Sequence, residues 1–245
     1  MAKVRKRGVP TGNTPVRSAR DRRRQDVYLA VEGEGTERDY FRAVQERLLS
    51  EGEFVLHVAP NRNGFNTARR VVDEVVKLRG GEDAPAWAIC DLDDKARDDP
   101  QGIARAAQDA ADLGVAFVLC NPCFEVWLHL HFSNRTAVFG HQKKVIEELR
   151  RLHPAFADYD RRDGEGKRLT SRRLAALFED DNLAEACRRA QRLHERCERE
   201  DCDHPAKPGR ACTVESRDPS SPLHELFALL GLDGAKRSGA GDIRD

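Results

Sequence analysis

The sequence predicts an α/β fold, with a mainly parallel sheet flanked by helices and a mostly helical lobe after it. Short apolar runs rich in β-branched residues alternate with segments of helical period, and each run is apolar at consecutive positions. Strands of that kind are covered on both faces, as in a parallel sheet with crossover helices. Beyond Phe132 the strand pattern stops and only helical periodicity continues.

The elements follow in order. Residues 27–31 (VYLAV) are a β-branched, apolar run bounded by charge, hence a strand. In 36–49, Tyr40, Phe41, Val44, Leu48 and Leu49 recur at the helical period. Thr36 stands where a cap would be, and Glu37 reads as a first-turn charge favoured by the helix dipole. Residues 54–59 alternate as a second strand, and 66–78 form a helix with Val71, Val72, Val75 and Leu78 on one face. AWAIC (86–90) is the third strand and stops at DLDD; 103–113 is an Ala-rich helix; VAFVLC (115–120) is the fourth strand. Residues 122–132 read as a helix capped by Asn121, with Pro122 at its first position. Helices are expected over 143–152, 169–178, 183–200 and 222–230.

This divides the chain into a disordered basic arm (1–25), an α/β domain (26–132), a helical lobe (133–232) and a flexible tail (233–245). The arm carries Lys3, Arg5, Lys6, Arg7, Arg17, Arg20, Arg22, Arg23 and Arg24 against Asp21 alone. Such an arm either holds a nucleic-acid backbone by releasing counterions or serves as a solubilising tail. The 245 residues are 39% hydrophobic and 34% charged with zero net charge, which argues against a surface that coats DNA throughout. No apolar stretch approaches the roughly 20 residues needed to span a membrane, and the basic N-terminus lacks the apolar segment of a secretory signal. Seven cysteines without framework spacing fit a reducing compartment, so a cytoplasmic location is expected.

The strand ends carry the chemistry. In an open parallel sheet, ligands bind beyond the carboxyl ends of the strands. The first strand ends in Glu32, with Glu34 and Glu37 close behind; the third ends in Asp91, Asp93 and Asp94; the fourth ends in Asn121, with Glu125 shortly after. Asp91 and Asp93 point to the same side of an extended chain, because side chains alternate with period two. Carboxylates gathered so closely repel unless a hard cation joins them, and Mg²⁺ (or Mn²⁺) suits a site of one or two carboxylates plus phosphate oxygens. Acidic residues after strands also serve as ordinary helix caps, so the conjunction carries more weight than either motif alone.

Glu32-Gly33 after one strand and Asp91-Leu92-Asp93 after a later one resemble the Toprim pattern of topoisomerases, primases and OLD-type nucleases. More narrowly, VEGEGTERDYF, ICDLDD, NPCFEVWLHLHF and DPSSPLHELFALL resemble the RloB-like (AbiLii-like) family of bacterial defence proteins. NPCFEVWL is the most specific of these, and the resemblance runs discontinuously from Asp26 to Leu232. It implies phosphodiester chemistry, most directly Mg²⁺-dependent cleavage of RNA or DNA in anti-phage defence, with a separate ATPase partner. No Walker A glycine-lysine signature occurs in this chain. The resemblance further implies Glu32 as acid/base or metal ligand, Asp91 and Asp93 as metal ligands, Glu125 as an additional acidic residue, and Asp94 as an outer group. The alternative is a non-catalytic subunit of a defence system that senses a trigger or restrains an ATPase.

Three weaker signals remain. His129 lies one helical turn after Glu125 and is either a proton donor or phosphate contact, or a structural histidine. His194, Cys197, Cys202, His204 and Cys212 hold enough soft ligands for a structural zinc, although their spacing matches no standard pattern and cysteines of a surface loop are the alternative. Arg161, Arg162, Lys167, Arg168, Arg172 and Arg173 form a second basic stretch that faces a phosphate backbone or solvent.

Overall fold

The computed structural model describes residues 24–33, 35–50, 52–60, 67–92, 98–161, 166–198, 212–213 and 216–234. The basic arm up to Arg23, Glu34, Asp93, Asp94, Cys202, His204 and the tail beyond 234 lie outside these residues.

Four strands build one parallel sheet: β1 (Gln25–Val31), β2 (Phe54–Val58), β3 (Ala86–Asp91) and β4 (Ala116–Cys120), in the order β2-β1-β3-β4. Between them run α1 (Thr36–Arg47), α2 (Ala68–Arg79) and α3 (Pro100–Asp112). After β4 come α4 (Glu125–Leu130), α5 (Gln142–Leu152), a 3-10 turn at Pro154–Phe156, α6 (Ser171–Phe178), α7 (Asn182–Glu198) and α8 (His224–Leu229). The predicted α/β architecture is the observed one, with element ends shifted by a few residues.

Side-chain alternation sorts the strands onto two cores. Val27, Leu29 and Val31 of β1, with Trp87 and Ile89 of β3, face a large cluster shared with α1 and every helix after β4. Tyr28 and Ala30, with Ala88 and Cys90, face a smaller cluster under α2 and α3. The large cluster runs without interruption from Val27 to Leu230, so the helical part packs directly on the sheet. Tyr40 stands at its centre, edge-on to Phe41, Phe124, Trp127 and Phe227, and Trp127 stacks on Phe227 at 5.1 Å.

Two local expectations are corrected. Asn121 is no helix cap: its backbone N–H and C=O pair with Ser220 at 2.8 and 3.0 Å in an antiparallel bridge, and the helix begins only at Glu125. Asn121 remains in extended geometry because it still belongs to the sheet edge. Thr36 is the first helical residue rather than the cap, which is Gly35. The Thr36 hydroxyl is engaged elsewhere, as described below.

Because one core joins the sheet to α8, Phe227→Ala should destabilise the whole chain by about 3–5 kcal/mol. Native-state hydrogen exchange checks this: amides of β1 and α8 are expected to lose protection together. Loss confined to α8 would contradict a shared core.

Candidate functional site

β1 connects through α1 on one face of the sheet, whereas β3 connects through α3 on the other. The chain therefore diverges between the carboxyl ends of two neighbouring strands, which opens a crevice there. Glu32 and Asp91 stand at that crevice. Glu32 Oε2 accepts from the Asp91 backbone N–H at 3.1 Å, and Asp91 Oδ1 accepts from the Phe124 N–H at 2.8 Å. A cleft of about 500 Å³ is lined by Glu32, Gly33, Gly35, Thr36, Glu37, Asp91, Glu125, Gln142 and Lys167. Of the sequence-derived residues it gathers Glu32, Asp91 and Glu125.

Several residues that follow β1 have a task here. A Cβ on Gly33 would overlap the Glu37 carboxylate, so only glycine lets that side chain lie against the turn. Glu37 is buried rather than a surface charge. Thr36 Oγ1 donates to the Lys167 carbonyl at 2.6 Å and meets the Tyr159 hydroxyl at 2.6 Å. Asp39 grips Arg168 through two bonds, at 2.6 and 2.9 Å, and accepts from the Leu169 N–H at 3.0 Å. Together Thr36 and Asp39 fasten the segment that carries Lys167.

Lys167 then enters the cleft, with Nζ 3.1 Å from Glu125 Oε1. Glu125 Oε1 also accepts from the Tyr159 hydroxyl at 3.1 Å, and Oε2 accepts from Gln142 at 3.3 Å. Burial opposes ionisation of Glu125, but the Lys167 charge and the surrounding donors prevail and hold its carboxyl below the usual range. Asp91 and Glu37 behave oppositely. Burial, then the charges of Glu37, Glu125 and Glu32, push Asp91 well above the carboxylate range. Burial, then Glu125, pushes Glu37 up to about 7. Among the described residues the cleft thus holds four acids against one lysine, and two of the four resist ionisation.

The remaining expectations resolve differently. His129 is buried outside the cleft lining, with Nε2 3.3 Å from Glu148 and its ring edge-on to Phe139, the surroundings that the structural alternative expects. His131 Nδ1 donates to the Leu177 carbonyl, which leaves Nε2 to accept from the Tyr40 hydroxyl at 3.1 Å. Burial holds its pKa down at about 3, so this histidine stays neutral. His194 contacts Glu198 at 3.0 Å, while Cys197 and Cys212 are buried; Cys202 and His204 lie outside the described residues. Among the described residues, no group of three or more His, Cys, Asp or Glu side chains is already gathered as metal ligands. Asp93 and Asp94 fall outside that set.

The second basic stretch is partly internal. Arg173 is buried over the Tyr159 ring and bonds Asp158, while Arg172 donates to the Pro154 carbonyl. Sequence reasoning missed Glu37, Gln142, Tyr159 and Lys167 as cleft residues. For Glu37 a signal existed: a third acid within six residues at a strand end, beside the glycine that makes room for it.

Fold and cleft define an α/β protein whose acidic site sits at the switch point of a parallel sheet. The model of the RloB-like protein family matches residues 27–230, and the chain belongs to that family. No curated protein and no solved structure matches it.

The raised pKa of Glu37 gives a signed prediction. A folded-state value near 7 against about 4.5 unfolded leaves stability intact below pH ~4.5 and erodes it as pH rises through 7. Glu37→Gln should therefore be near neutral at pH 5 and stabilising by about 1–3 kcal/mol at pH 8 in EDTA. Thermal melts at the two pH values measure this; an equal shift at both would remove the assignment.

Proposed function

We propose that the chain is a divalent-metal-dependent nuclease of the Toprim kind, cleaving a phosphodiester of RNA or DNA in anti-phage defence. The observation that carries this reading is the convergence of Glu32 and Asp91 from adjacent strand ends with buried Glu37 and Glu125. Four acids in one desolvated cleft, two of them resisting ionisation, form a donor set that a hard cation would relieve. Glu32 and Asp91 would hold Mg²⁺ or Mn²⁺, with Asp93 two residues further along the chain. When bound, the ion supplies Lewis acidity toward a phosphate and its attacking water.

The chain's own residues do the rest. Glu37 exchanges a proton near neutrality, which suits a general acid or base. Tyr159 and Gln142 fix Glu125, and Glu125 in turn orients the Lys167 ammonium in the cleft. That ammonium is placed to meet an anionic oxygen of the substrate. The defence role and a separate ATPase partner rest on the family resemblance alone.

The test is incubation of the purified chain with Mg²⁺ or Mn²⁺ and total RNA, tRNA, plasmid and single-stranded DNA. Metal-dependent cleavage is expected, abolished by EDTA and lowered at least ~100-fold in Glu32→Gln and Asp91→Asn. Wild-type rates in both variants would refute the site. Absence of cleavage on every substrate would leave the chain an interaction subunit.

A further inference from the structure

The sheet has an edge that the chain only partly covers. The Leu92 N–H donates to the Cys120 carbonyl, so Cys120, and by alternation Val118 and Ala116, turn their peptide groups toward β3. Phe117, Leu119 and Asn121 consequently turn theirs outward. Asn121 uses its outward N–H and C=O on Ser220. Continuing that antiparallel pairing would set Leu119 opposite Pro222, which has no N–H to give. The pairing accordingly stops after one bridge, and no hydrogen bond from a described residue reaches the outward groups of Phe117 and Leu119.

Those groups open into a groove of about 1020 Å³. Its walls differ. On one side lie Ala104 and Ala107 of α3, small and apolar; on the other lie His194 of α7, Arg217 and Glu225 of α8. Arg217 Nε is buried without a hydrogen-bond partner, and its Nη1 only approaches His194 Nδ1 at 3.5 Å. An unpaired donor on a guanidinium calls for an acceptor, best a carboxylate.

We infer that this groove binds an extended peptide from a partner protein, which adds as a strand to β4. The peptide alternates apolar side chains toward Ala104 and Ala107 with polar ones toward His194, and carries an acidic group that reaches Arg217. Main-chain bonds to Phe117 and Leu119 supply register, while the two unlike walls supply specificity. Helices on both sides of the edge exclude a whole second sheet, so a single strand is the occupant that fits. The inference is independent of the chemistry in the acidic cleft, which opens at the carboxyl ends of β1 and β3.

The test uses the full chain and a fluorescein-labelled Val-Thr-Val-Glu-Val peptide. Saturable anisotropy is expected. N-methylation of one alternate set of peptide amides should weaken binding at least ~10-fold, and methylation of the other set should not. Glutamine in place of the peptide's glutamate should weaken binding to the wild type but not to Arg217→Ala, and Ala107→Arg should block the groove. In hydrogen exchange, the Phe117 and Leu119 amides should exchange faster than Val118 and Cys120 in the free protein and slow down with peptide. Binding weaker than about 1 mM, equal response to both methylation sets, or slow exchange of Phe117 and Leu119 without peptide would overturn the inference.

Discussion

Repulsion among carboxylates crowded into one partly buried cleft is the constraint on which the rest of this structure depends. Glu32, Glu37, Asp91 and Glu125 share one cleft, and desolvation strengthens their repulsion just as it removes the water that would screen them. Among the described residues, the fold places one cation in the cleft. Lys167 neutralises Glu125, while Asp91 and Glu37 are held toward their protonated forms. A fold optimised for stability alone would replace such a cluster with apolar residues. Retaining it costs stability that only binding can recover, and that cost is the physical argument for a function at this place.

The cleft is a joint product of both parts of the chain. The sheet supplies Glu32 and Asp91, α1 supplies Glu37, and α4 supplies Glu125. The later region adds Gln142, Tyr159 and Lys167, and these reach the cleft because Thr36 and Asp39 hold the 166–169 segment against α1. Asp218 ties the same region down by accepting from the Phe139 and Gly140 amides at 3.1 and 2.7 Å. Removing the helical part would therefore strip the cleft of Lys167 and uncover the Tyr40, Trp127 and Phe227 cluster.

What the sequence revealed follows a physical divide. Continuous apolar runs and the 3.6 period report burial of a strand or of a helix face, so β1, β3 and the long helices α2, α5 and α7 were legible. Glu32 and Asp91 were legible because a carboxylate straight after an apolar strand has a place fixed by sheet geometry. Glu37 was legible only as a third acid near that strand end, since a buried acid in a first helical turn spells the same as a surface one. Lys167 was hidden for a different reason: its partner Glu125 is distant in sequence, and a run of arginines and lysines gives no sign of which one turns inward. The spacing of His129 from Glu125 left two readings open, because α4 is buried all round and the ring's partner, Glu148, lies on a later helix. Asn121 looked like a cap because Pro follows it, whereas the competing bond partner, Ser220, lies far along the chain.

The proposed role of these carboxylates is to hold a divalent cation. Calorimetric titration of Mn²⁺ into the metal-free chain at pH 7.5 tests it most directly. The account predicts saturable binding that is at least tenfold weaker in Asp91→Asn, about 1.4 kcal/mol or more, with the variant folded and no less stable than the wild type in EDTA. Equal binding by wild type and variant, or a variant that unfolds at lower temperature in EDTA, would contradict it.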